Sequence, residues 1–126
     1  MAPATGSLDV EITQLRSGKG VLRLCLTTDP NDFPDCRSGA NAIRRTVPAG
    51  SPHVRFDGLA PGTYALAVIH DENGNAKLDT FAGIPREGFG FSRNPAIGFG
   101  PPGFKSAGFA VNGDAATQQV RIRYLL

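Results

Sequence analysis

The chain has 126 residues, with 13 Lys and Arg against 11 Asp and Glu, a formal net charge of +2. This length holds one domain with a real hydrophobic core and leaves no room for a second. The small charge, with no basic cluster beyond Arg44 and Arg45, argues against nucleic acid or a membrane surface as partner.

The opening MAPATGSLDV shows neither a signal peptide nor a membrane span. It fits either a cytoplasmic protein or a mature domain whose leader is replaced by Met. Low charge, abundant Gly and Pro, and the pair Cys25 and Cys36 favour a secreted or periplasmic domain. The expected organisation is a single domain over 1–126, with 1–6 as a flexible tail.

Leu8, Val10 and Ile12 alternate with Asp9, Glu11 and Thr13, which predicts a half-buried strand ending near Leu15. Arg16 to Gly20 then reads as a hairpin turn into a second strand, Val21 to Thr28. There Leu22, Leu24 and Leu26 share one face, and Arg23 and Cys25 the other. Cys36 follows in the segment TDPNDFPDC, so a Cys25–Cys36 bridge pinning that loop to its strand and a pair of unrelated thiols both fit.

Two short strands, Ala42 to Val47 and His53 to Phe56, are separated by Pro48, Gly50 and Pro52. After the turn GLAPG at 58–62, TYALAVI from Thr63 to Ile69 is apolar enough for a central strand. Beyond a long Gly/Pro/Phe segment reaching Gly103, a strand is expected near Ser106 to Val111. A last strand runs from Gln118 to Leu125, with Val120, Ile122 and Tyr124 inward and Arg121 and Arg123 toward solvent. Some seven short strands at this spacing predict an all-β, antiparallel two-sheet sandwich of transthyretin or immunoglobulin type.

The run His70 to Ser92, HDENGNAKLDTFAGIPREGFGFS, carries the clearest chemistry. Asp71, Asn73, Asn75 and Asp79 stand at positions one, three, five and nine, with the Lys77 carbonyl available at seven. Such alternating oxygens suit Ca2+, which takes about six to eight oxygen ligands. Ala76 and Ala82 occupy places where an EF-hand has Gly and a bidentate Glu, and helical flanks are missing. The loop more closely resembles the nine-residue hairpin loop of integrin alpha-subunit propellers. With Asp71 and Asp79 as the charged ligands, and Glu72 and Glu87 as additions, a dissociation constant of about 10⁻⁴ to 10⁻³ M is expected. Asp and Asn also close turns on their own backbone, so a self-capped turn is the competing reading.

FDGLAPGTYA from Phe56 to Ala65, HDENGNAKLD and GIPREGFGFS together resemble a family of small secreted bacterial proteins known as a domain of unknown function. The likeness covers nearly the whole chain, most specifically Phe56 to Ser92. It implies export and a transthyretin-like sandwich, in which the Pro and Gly turn the chain and Tyr64 packs at the sheet edge. That family has Gly where this chain has Ala76. It implies no established activity.

His70 is the best single candidate for acid, base or ligand, against the alternative that it caps its strand. His53 offers less, and two His residues exclude a three-His metal centre as well as the apparatus of hydroxyisourate-hydrolysing transthyretin relatives. Neither Ser92 nor Ser106 has the G-x-S-x-G setting of a hydrolase elbow. Gly88 and Gly90 lack the GK[ST] ending and the helix of a phosphate loop.

Phe81, Phe89, Phe91, Phe99 and Phe104 are interleaved with Gly and Pro, and Arg86 and Arg93 flank the central pair. They form either a small core of their own or a binding platform. Phe89 and Phe91 are expected to differ in burial.

Two function classes follow. One is a calcium-stabilised binding module that meets a glycan, peptide or envelope partner through His70, Arg86, Glu87, Phe89, Phe91 and Arg93. The other is a hydrolase or ligand-processing enzyme using His70 with Asp79 or Glu87. A dry, buried imidazole favours the first, an open cleft with convergent carboxylates the second.

Overall fold

A computed structural model describes residues 5–34, 36, 42–72, 80–81, 84–85, 87–96 and 103–124. The chain forms two antiparallel-rich sheets packed into a sandwich, as the alternating pattern predicts. The three-stranded sheet has the order β10 (Ala115–Arg121), β1 (Gly6–Thr13), β4 (His53–Leu59). The five-stranded sheet runs β3 (Ala42–Pro48), β2 (Val21–Thr27), β5 (Gly62–Asp71), β8 (Gly88–Phe91), and β9 (Phe109–Val111) pairs with the start of β5. A separate two-residue ladder joins β6 (Thr80–Phe81) to β7 (Ile84–Pro85), and one helical turn, α1, spans Phe104–Ala107. Among the described residues no helix is long and apolar enough to cross a membrane.

Alternation places Leu8, Val10, Ile12, Val54, Phe56, Val120 and Ile122 against Leu22, Leu24, Leu26, Tyr64, Leu66 and Val68. Burying each of these large side chains stabilises the fold by roughly 1.5–3 kcal/mol before conformational entropy is subtracted. The Tyr64 hydroxyl donates to the Ala60 carbonyl at 2.8 Å, tying β5 to the turn before it. This is the local arrangement of a tyrosine corner. The far side of the five-stranded sheet is covered too. Cys25, Ala65, Ala67 and Phe91 pack there with Cys36 and Ala107, flanked by Phe33, Phe89 and Phe104. A Cys25–Cys36 disulfide, Cα–Cα 5.8 Å, holds this cover to β2.

Three expectations are corrected. The turn at Arg16–Gly20 is not a hairpin, because both edges of β1 are taken by β10 and β4 while β2 pairs with β3 and β5. It arches from one sheet to the other instead. Gly20, at φ +72°, lies so close to the Asp71 carbonyl and Glu72 that a side chain would collide. β1 and β10 run parallel, the one such pair among the described strands of the sandwich. Gly6, placed in the tail by the sequence, already pairs with Leu59.

Candidate functional site

β5 carries the chemistry to one end of the sandwich. Its inward residues are Tyr64, Leu66, Val68 and His70, and its outward ones Ala65, Ala67, Ile69 and Asp71. His70 is completely buried. Its Nε2 lies 2.8 Å from the Lys19 carbonyl and its Nδ1 2.7 Å from the Tyr124 hydroxyl. A carbonyl only accepts, so Nε2 donates, and in the neutral ring Nδ1 accepts from Tyr124. That hydroxyl also accepts the Arg16 amide at 3.1 Å, and the Arg16 guanidinium stacks 4.3 Å from the Tyr124 ring centre.

Arg16 further binds Glu72 at 2.7 Å, and the Ser17 hydroxyl donates to Glu72 at 2.8 Å. The bond to Arg16 is the main reason the Glu72 carboxyl is held below its ordinary range. Burial pushes the Tyr124 hydroxyl upward. The imidazole is buried and engaged through both nitrogens. As placed, it is an anchor between the Arg16–Gly20 arch and the end of the chain.

Asp71 points to the outer face, 1% exposed, and receives the Arg23 Nε at 3.0 Å. Since His70 pairs with Gly88, the antiparallel register sets Asp71 beside buried Glu87. Asn73, Asn75, Lys77 and Asp79 of the expected ion loop, and Arg86 of the expected ligand surface, lie outside the described residues. Among the described residues, no group of three or more His, Cys, Asp or Glu could hold a metal.

The GFGFS motif has a clear local cause. At Gly90 a side chain would come 2.6 Å from the Arg121 carbonyl, and at Gly88 it would collide with Tyr124 and Ile122. Both glycines therefore face the chain end that closes the sandwich, and Phe89 and Phe91 face outward. Phe91 is 6% exposed beneath Phe33, while Phe89, beyond that cover, is half-buried. The unequal burial comes from position along the strand. Phe104, Phe33, Phe91 and Phe89 follow one another with centroids 6.1, 5.9 and 6.1 Å apart.

Ser92 is buried as a clip. Its hydroxyl accepts the Leu66 amide at 3.0 Å and donates to the Ala107 carbonyl at 2.5 Å.

The β8 edge is sealed. Phe89 and Arg123 exchange backbone hydrogen bonds of 3.0 and 2.9 Å, and the Asn94 side chain continues the seam to Gln119 and Arg121. Arg93 is exposed at φ +64°, its amide bound to Gln118 and its guanidinium to the Gly108 carbonyl. Sequence reasoning missed Tyr124 as the partner of His70, the Ser92 clip and the Asn94 seam, because each depends on a contact 15 to 54 positions away.

No curated protein and no solved structure matches the chain significantly. A bacterial family described as "uncharacterized protein conserved in bacteria (DUF2141)" matches residues 10–119, which takes in every strand of the sandwich at least in part. The chain belongs to that family.

Proposed function

We propose that this chain is an exported binding or interaction module on a transthyretin-like sandwich, with calcium ordering the 71–79 loop. The observation that carries the reading is the aromatic row on the outer face of the five-stranded sheet, which ends in half-buried Phe89. The groups a hydrolase would need are engaged in the scaffold. His70 is bonded through both nitrogens and Ser92 through both its donor and acceptor capacity. The Tyr64–Ala60 bond supports the transthyretin-like comparison, and the Cys25–Cys36 bond supports an oxidising compartment. The ion reading is carried by the alternating oxygens of the sequence from Asp71 to Asp79.

The test is retention on immobilised glycan and peptide arrays, comparing the native chain with Phe89→Ala. A ligand whose retention falls in the variant, with the melting curve preserved, supports the proposal. No ligand on either array, or retention indifferent to Phe89, refutes it.

A further inference from the structure

We infer that the ligand of this face is an anionic polysaccharide of the uronic-acid class, gripped where β8 meets the end of β10. This deepens the binding reading above and rests on it. Val120 and Ile122 are buried, so Arg121 and Arg123 project outward, and both are exposed. Arg123 is bridged to half-buried Phe89 through the backbone, so the two side chains leave the seam on the same face. Arg93, on the turn after β8, holds its guanidinium to the Gly108 carbonyl. Among the described residues, neither Arg121 nor Arg123 joins an ion pair. Of the acids, Asp9 and Asp57 pair with Arg55, and Glu72 pairs with Arg16. Glu11 lies diagonal to Arg121 across β1, in register with Gln119 and His53, without pairing to it. The seam is therefore a cationic rim beside an aromatic floor.

The sealed backbone decides between classes of anion. An acidic peptide binding by strand addition needs free amides and carbonyls along an edge, and at this seam Phe89, Arg123 and Asn94 have used them. Recognition falls to side chains. Phe rings offer flat apolar contact to sugar C–H faces, and guanidinium forks match carboxylates in two-point geometry. Arg121 and Arg123, two residues apart on one face, stand roughly 7 Å apart, which suits a polymer with repeated carboxylates better than a single small anion.

The probe is oligogalacturonate, titrated calorimetrically into the native chain and into Arg121→Gln, Arg123→Gln, Phe89→Ala and Arg44→Gln. Neutral oligogalactan and poly-glutamate serve as comparison ligands. We expect binding of the uronate alone, weakened about tenfold by loss of both seam arginines and several-fold by Phe89→Ala. Arg44→Gln removes the same charge from the same sheet face at its other edge, on β3 across from β8, and should leave affinity within about twofold. Melting curves establish that each variant is folded. Equal affinity for poly-glutamate, equal weakening by Arg44→Gln, or no uronate binding overturns the inference. Phe89-dependent binding of the neutral glycan alone overturns it while leaving the binding-module reading intact, and absence of any array ligand overturns both.

Discussion

Removing one oxygen, Tyr124→Phe, tests whether His70 is a structural anchor. The ring and its stacking with Arg16 remain, so packing is nearly conserved. Two hydrogen bonds disappear. The Arg16 amide is exposed and regains water at little cost, but Nδ1 of His70 belongs to a side chain with no solvent exposure. An unsatisfied buried acceptor costs about 1–3 kcal/mol. Tyr124 is only partly buried, so a water that slips into the vacated space would bring the loss toward the lower end. For a domain of this size each kcal/mol lowers Tm by roughly 3–5 °C, so a fall of about 3–15 °C is expected by calorimetry, with a matching loss in urea. A change below about 0.5 kcal/mol, the level of an inconsequential surface substitution, would refute the anchor and reopen His70 as a functional group.

Gly90→Ala should cost about 1–3 kcal/mol in urea unfolding, because its methyl meets the Arg121 carbonyl and Val120 Cγ1 at 2.6 and 2.7 Å; unchanged stability would remove the close-approach explanation of the motif. Glu72 has a folded pKa below its ordinary value of 4.5. Its contribution is thus complete above that pH and is lost as pH falls through the folded value, and Arg16→Gln should flatten this acid limb of the stability profile. Thiol labelling of denatured, unreduced protein should find none, and reduction should cost about 2–3 kcal/mol for the 11-residue separation. Two reactive thiols before reduction would contradict the bridge.

The strands were largely legible because inward and outward residues alternate. Leu8 to Ile12, Leu22 to Leu26 and the run at Thr63 to Ile69 all lie where their pattern places them. Their partners were less so. A short polar turn such as Arg16–Gly20 serves equally to return a strand to its own sheet or to carry it across. The choice is made by β10, which claims the edge of β1 from the other end of the chain. At the site, the unequal burial of Phe89 and Phe91 was legible in outline, but the reason for the glycines was not. GFG reads alike as a flexible loop and as a strand crowded by a neighbour. Only the crossing of Ile122 and Tyr124 distinguishes them. Cys25 and Cys36 were readable as a pair because 11 positions separate a strand from the loop immediately following it.

The claim that calcium orders the 71–79 loop is tested most directly by calorimetric melting with calcium. Asp79→Ala is the cleaner variant, because Asp71 also binds Arg23 and its loss would weaken the ion-free fold as well. With a dissociation constant near 10⁻⁴ M and about 10 mM calcium, an ion binding only the folded state adds roughly 2.7 kcal/mol. The account predicts that calcium raises Tm accordingly, that magnesium does less because it holds its waters and demands octahedral geometry, and that Asp79→Ala abolishes the gain. Superimposable melting curves in EDTA and in excess calcium, with no metal in the purified protein, would contradict it and leave the loop a self-capped turn.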